Sequence, residues 1–409
     1  MFRKDRQYFQ FCAYGFLKNL RLFEPFLILF LKNEGMTFTQ IGVLYAIREI
    51  ARNLFEIPGG IFADATGRKT SLLLAFSAYI ISFLTFFSAS SFLIFSLAFL
   101  LYAFGDAFRT GTHKAMIMSY LQLNNWSQFK IDYYGHTRSW SQIGSAVSAI
   151  LAALTILFTG EYKIAFLISI IPYLLELINL ALYPNYLNRP RGQKSEKRGL
   201  HLLSQTTKDF INSLKNKEVL RSILGLSIYS GYYKASKDYL QAMIQIFAIS
   251  LPLFQSHLDI RREAILVGTV YFIMYLATSI ASRRSGPWVR TQKSVHSAMS
   301  KSLLIGALCG IASGALIIAG QNLLAIIFFV GIYLFENLRK PIGIAQISDH
   351  LDQKVLASAL SVESQAETVF AALFAVFIGF MVDHTTLGIA LISVSALALI
   401  PGLLFIKRN

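Results

Sequence analysis

The stretch Gly60-Ile61-Phe62-Ala63-Asp64-Ala65-Thr66-Gly67-Arg68-Lys69 is a charged hinge between two apolar runs, Ile41 to Ala63 before it and Thr70 to Phe87 after it. Each run approaches the roughly 20 apolar residues that an α-helix needs to cross ~30 Å of hydrocarbon. The hinge leaves room only for a tight turn. Gly60, lacking a Cβ, is expected to let a neighbouring helix approach closely, and Gly67 to take the positive φ of a sharp reversal. Arg68 and Lys69 place the turn on the cytoplasmic side, because basic residues favour inner loops.

Working outward, the same alternation fills the chain. Its 409 residues are 55% hydrophobic and only 15% charged, which excludes an ordinary soluble globular protein. Spans are expected at about Phe11 to Leu31, Ile41 to Ala63, Thr70 to Phe87, from Phe92 to about Met118, Ser139 to Phe158, and on to Tyr183. The second half repeats them near Arg221 to Ile249, Ala264 to Ser282, Ser297 to Ala319, Leu323 to Ile344, Leu356 to Met381 and Leu387 to Phe405. That makes an all-α integral membrane protein of twelve helices. The third span carries no charge and is expected to face lipid. Between the halves, residues 184–217 form a basic polar linker in which Leu200, Leu203, Phe210 and Leu214 approximate an amphipathic stripe. The domains read as 1–183, the linker, and 218–409.

The formal charge of +16 would suggest nucleic acid in a soluble chain. Here the basic residues cluster in alternate loops, so the charge reports orientation, with both termini inside, and no nucleic-acid partner is expected. Cys12 and Cys309 lie in apolar segments, so no disulfide is expected, and the N-terminal run lacks a small-residue cleavage site, so it is read as the first span. No metal-ligand cluster, phosphate loop or nucleophile elbow stands out, so neither an enzyme nor a cofactor is expected.

Asp64 is disfavoured by the dipole at the C-terminal end of its own helix and should find a partner, such as the N-terminus of another helix at the same face. Such a contact can form in one conformation and break in another. The pattern Gly60-x-x-x-Asp64-x-x-Gly67-Arg68-Lys69 resembles the signature loop between the second and third helices of the major facilitator superfamily of transporters. The resemblance implies two pseudo-symmetric six-helix bundles around a central cavity lined by the first, fourth, seventh and tenth helices. Gly60, Asp64, Gly67, Arg68 and Lys69 would form its cytoplasmic gate. Two departures stand beside it: the corresponding loop Ser282 to Gly286 lacks the Asp, and Ser141 to Ser145 lacks the Gly-Pro pattern of drug/proton antiporters. A faint repeat pairs Lys114 and Ser141-Gln142 with Lys340 and Ser364-Gln365.

Charges sunk in the spans are the candidate pathway, since such residues face a bundle interior or a watery cavity. Lys18, Arg21 and Glu24 should share one helix face, as should Arg48, Arg52 and Glu56. Counting from helix ends puts Arg21, Arg52 and Asp106 near mid-membrane, Glu24 and Arg48 farther out, and Glu56 and Arg109 farther in. Lys234 and Asp238 on the seventh span, Glu336 on the tenth, and Glu363 and Glu367 on the eleventh add to the set. Two uses compete. Arg52–Glu56 and Glu336–Arg339/Lys340 are expected as permanent pairs holding helices together, or an acid such as Glu24, Glu56, Asp106 or Glu336 takes up a proton at one face and releases it at the other. The functional expectation is a monomeric secondary active transporter of a small molecule, proton-coupled, working by alternating access among the lipids of a bacterial inner membrane. The alternatives are a proton-driven drug or metabolite efflux antiporter, or a sensor that keeps the transporter fold without moving solute. An organic anion or a zwitterion would suit the mixture of Arg, Lys, Tyr and acids.

Overall fold

A computed structural model describes residues 3–126, 130–188, 217–250, 259–349 and 353–405, and among them the regular structure is helical throughout. The linker's proposed amphipathic helix lies outside these residues. The helices are α1 Arg6–Leu17, α2 Leu27–Asn33, α3 Phe38–Thr66, α4 Arg68–Ser88, α5 Phe92–Arg109, α6 Thr112–Leu123, α7 Lys130–Thr159 and α8 Ile164–Ala181. In the second half come α9 Lys217–Ser236, α10 Leu240–Ser250, α11 Asp259–Arg283, the short α12 Ser285–Arg290, α13 Val295–Ile318, α14 Asn322–Asp349, α15 Gln353–His384 and α16 Leu387–Phe405. They fall on the predicted spans. Among the described residues, seven segments are long and apolar enough to cross a membrane by length and composition alone. The first, second, fifth, seventh and twelfth predicted spans are not among these; at the fifth and twelfth the apolar helices are shorter, Ile143–Thr159 and Leu387–Ile400.

Three predicted spans are interrupted. The first stops at Leu17, passes through a 3-10 turn at Glu24–Phe26 and resumes as α2, so Lys18, Arg21 and Glu24 do not share a helix face as expected. Pro25 cannot donate to a helix ladder, and Asn19 turns its amide back onto the Gly15 carbonyl at 2.7 Å. Backbone groups freed in an apolar setting need side-chain partners, and here they have them. Leu22 N–H donates to Ser169 Oγ at 2.9 Å, and Ile28 N–H to Gln241 Oε1 at 2.8 Å. The fourth span breaks at Gly111, whose φ of 76° ends α5 and starts α6. The seventh breaks at a 3-10 turn, Lys237–Tyr239.

The chain divides into two units, one of Met1–Phe26, Ala51–Leu202 and Ile260–Phe272, the other of Leu27–Ile50, Leu203–Asp259 and Ile273–Asn409. In the first unit, α4 packs on α5 and α8, and α1 on α7. The third span is therefore more than a wall against lipid. It exposes Leu74, Ile81 and Leu84 but buries Phe76, Tyr79, Phe83 and Phe86 on the opposite face. In the second unit, α13 packs on α14 and α16, and α9 on α15.

The hinge is tighter than expected. Helix α3 continues to Thr66 and α4 begins at Arg68, so Gly67 alone makes the reversal, with φ at 105°. Arg68 donates from Nη1 to the Ala115 carbonyl (2.9 Å) and Ser119 Oγ (2.6 Å), and Lys69 Nζ to the carbonyls of Ala181 and Tyr183 (2.7 and 2.8 Å). Gly60 does not serve the close approach expected of it: a Cβ there would meet nothing within 4 Å. The neighbouring Gly59 does, with Phe108 Cα 3.2 Å from where its Cβ would lie. The side chain of Asp64, like that of Gln142, lies outside the described set. Two replacements follow with opposite outcomes. Gly67→Ala forces a left-handed conformation and a Cβ 2.4 Å from the Asn188 carbonyl oxygen, and should lower the melting temperature of the detergent-solubilised protein. Gly60→Ala, inside helix α3 with room for its Cβ, should instead stabilise the protein by about 0.5–1 kcal/mol and raise that temperature.

Candidate functional site

In the first unit, polar side chains gather where the first span breaks and along one face of α5. Tyr102, Asp106 and Arg109 are spaced four and three apart, which puts them on the same side of that helix. Arg21 Nη2 pairs with Glu24 Oε2 at 3.0 Å, and its Nη1 donates to the Tyr102 hydroxyl. Arg109 Nη2 pairs with Asp106 Oδ1 at 2.8 Å. The Tyr79 hydroxyl, from α4, donates to that same oxygen and accepts from Arg109 Nε at 2.9 Å. The rings of Tyr79 and Tyr102 meet edge to face at 5.1 Å and join the two ion pairs. Arg52 is a further positive neighbour of Asp106, and Glu56 sits half-buried one turn beyond it. The four paired side chains keep 16 to 29% of their surface accessible.

Sequence reasoning misses Tyr79 and Tyr102. In an apolar span a tyrosine reads as one more large hydrophobic residue, and only the four-residue spacing of Tyr102 to Asp106 hints at its partner.

In the second unit the charges form a ladder of alternating sign. Arg48 pairs with Glu49 at 3.2 Å, Glu49 with Lys234 at 3.4 Å, and Lys234 with Glu367 at 2.8 Å. Glu367 also holds Lys340, which reaches Glu363 at 3.3 Å. Three bases and three acids on α3, α9, α14 and α15 thus sum to zero charge. Glu367 stands at the centre, between two ammonium groups. The three acids are buried and the three bases half-buried, and paired, hydrogen-bonded charges are the form in which ions tolerate low dielectric.

The expected Glu336–Lys340 pair is not what this unit contains. Lys340 turns to Glu363 and Glu367, while Glu336 accepts from Ser230 at 2.7 Å through Oε1, and its Oε2 has no hydrogen-bond partner among the described residues. Arg339 is 1% exposed. It lies over the Tyr229 ring at 4.5 Å and donates from Nη2 to the Gly225 carbonyl at 3.0 Å. Asp238 is buried beside Lys237, with N and O 3.6 Å apart.

Two helices of this unit also cross closely. A Cβ on Gly42 of α3 would lie 2.3 Å from the Ala375 carbonyl oxygen of α15, and one on Gly379 would lie 2.2 Å from that of Phe38. At the same crossing both carboxylate oxygens of Asp383 accept from the start of α3, from Phe38 N–H at 2.9 Å and Thr39 N–H at 2.6 Å. Thr37 and Gln40 complete the helix start with a reciprocal capping box, each side chain accepting from the other's N–H (2.9 and 3.2 Å).

A helical membrane chain with interrupted, charge-bearing spans invites comparison with known transporters, and the sequence profile of the major facilitator superfamily matches residues 10–362. The chain belongs to the major facilitator superfamily. An uncharacterised MFS-type transporter, YxaM, of Bacillus subtilis (strain 168) is 26% identical over 232 residues; the match covers 56% of this chain, and it spans little more than half the length of that relative. Among solved structures, the nucleoside transporter NupG superposes with a TM-score of 0.78 at 14% identity, covering 99% of this chain and 100% of that one. A peptide transporter of the POT type in complex with sulfate gives 0.74 at 10% identity, covering 97% and 93%. At such identities the superfamily neighbours share the fold.

Proposed function

We propose that this protein is a secondary active transporter that moves a small polar organic solute by alternating access, coupled to protons, in a bacterial inner membrane with both termini inside. The reading acts through a monomer, with the domains meeting at residues 184–217 and the Gly60 to Lys69 loop as the cytoplasmic gate. The observation that carries it is the ladder. Glu49 on the second span is tied through Lys234 to Glu367 on the eleventh and thence to Lys340 on the tenth. Each inner member has two partners of opposite sign, so when one pair opens the ion keeps its other partner. Alternating access needs charges with that property, because helices must part without stranding an ion in hydrocarbon.

The Asp383 contact with the start of α3 supports the same reading. In the orientation read from the basic loops it lies at the outer end of the second and eleventh spans. A carboxylate capping another helix is the device expected of Asp64 at the inner end. Of the acids considered for the coupling proton, Glu336 suits the role best, held by Ser230 and without an ion pair within 4 Å among the described residues. Arg21 and Arg109 beside carboxylates suit a solute bearing an anionic group alone or with a cationic one. Solved transporters that share the fold are named for a nucleoside and for peptides, and one is in complex with 5-aminolevulinic acid; all belong to that broad class of polar solutes.

The test is flux in proteoliposomes carrying an imposed pH gradient, with polar metabolites and drugs added singly. A solute that discharges the gradient and accumulates against its own gradient supports the proposal, and the direction of that movement distinguishes uptake from efflux. Asp64→Asn should reduce the flux about tenfold or more while inserting normally. Equal flux would remove the loop from the gate.

A further inference from the structure

A second set of polar groups lies inside the first unit, next to the Asp106–Arg109 pair, whose charges reach Tyr14. Glu176 on α8 is fully buried, at 0% exposure. Its two oxygens accept from one nitrogen, Asn179 Nδ2, at 3.2 and 3.0 Å, and that same nitrogen also serves the Gln10 carbonyl at 3.1 Å. Titratable side chains lie near it. Lys18 and Tyr14 come from the first span, and Tyr183 follows α8. His113, from α6, lies flat on the Tyr14 ring with centroids 3.4 Å apart, and its Nε2 is 3.2 Å from the Tyr183 hydroxyl. The Tyr183 hydroxyl also donates to the Gln10 carbonyl at 3.3 Å.

A carboxylate with one shared amide donor has little to offset its charge. Lys18 acts on it from beyond salt-bridge distance, and its side-chain donor is the Asn179 amide. Among its neighbours, Asn179 supplies the geometry to hold either form of the acid, since an amide donates to a bare oxygen as readily as to a carbonyl. Glu24, Asp106 and Glu367 each meet a base directly. Glu176 has none within 4 Å among the described residues.

We propose that Glu176 is a proton-binding site of the N-terminal helices, beside the charged pathway and bordered by His113, Tyr14 and Tyr183. Loading forms one O–H bond on the carboxyl group and cancels one negative charge; unloading reverses both. Its use in coupling rests on the transport reading above, but its occupancy does not, so the experiment needs no transported solute.

The full-length protein in liposomes is stepped from about pH 5 to about pH 9, spanning ordinary carboxyl and imidazole titration, while the infrared C=O band of protonated carboxyl groups is followed. Wild type should lose the intensity of one carboxyl group that Glu176→Gln never shows, and acid–base titration should count one proton fewer in the variant. Identical pH-difference spectra for the two proteins overturn the proposal. Should the Gln variant not fold, Glu176→Asp keeps a carboxyl group; a shifted band supports the site and an unshifted one overturns it. A protein that passes this test but moves no solute refutes transport and leaves the site standing.

Discussion

Replacing Glu367 with alanine should destabilise the folded protein by about 1–3 kcal/mol, because the half-buried Lys234 and Lys340 ammonium groups lose the carboxylate they share and keep only Glu49 and Glu363. Glu363→Gln should cost much less. Glu363 stands at the end of the ladder, and Lys340 keeps Glu367 when it is replaced. Unfolding of the purified protein by heat or denaturing detergent reads both. Equal effects would mean that the six charges act as separate pairs, and the partner exchange argued for transport would lose its basis. Transport, where a solute has been found, should fall further in Glu367→Ala than stability alone explains, because the ladder's centre has gone.

Introducing valine at Gly42 should separate α3 from α15. The Cβ alone would lie 2.3 Å from a carbonyl oxygen, which backbone must move to relieve, and overpacking of this kind costs about 1–3 kcal/mol. Asp383→Ala acts at the same crossing by uncovering the N–H groups of Phe38 and Thr39, at about 1 kcal/mol, as for a missing helix cap. Both changes should increase labelling at this end of the helices by a membrane-impermeant reagent added from outside. Asp383→Asn should fall between alanine and wild type, since an amide keeps one accepting oxygen. Unaltered labelling in Gly42→Val and Asp383→Ala would show that the crossing is not an outer gate.

Much of this fold is legible in the residues. Apolar runs of membrane length separated by basic or short polar loops mark the spans, and Gly67 can be assigned its left-handed turn from sequence because few residues besides glycine adopt it readily. The close-packing glycine lies one residue from where the sequence suggests. Gly59 and Gly60 are equivalent in a linear reading, and only the angular position on α3 decides which one faces Phe108. The breaks at Lys18 to Phe23 and at Gly111 escape for a related reason. Hydropathy measures whether a segment is apolar, while the chain departs from a helix where a neighbour supplies hydrogen bonds, as Ser169 does for Leu22. The site is visible as a set of buried charges but not as pairs. Glu336, Arg339 and Lys340 lie within one turn or so of each other, yet Lys340 finds its acids on another helix, at Glu363 and Glu367. Helical spacing tells which residues share a face and is silent about what that face meets.

Transport of the kind proposed requires a polar pathway that opens to each side of the membrane by turns. With Cys12 and Cys309 replaced by serine and Glu24→Cys introduced, membrane vesicles of right-side-out and inverted orientation are treated with an impermeant thiol reagent. Glu24 keeps 29% of its side-chain surface accessible and lies beside Arg21 at the break of the first span. The predicted result is labelling from both sides, with solute or pH shifting the balance between them. Labelling from one side alone under every condition would contradict alternating access.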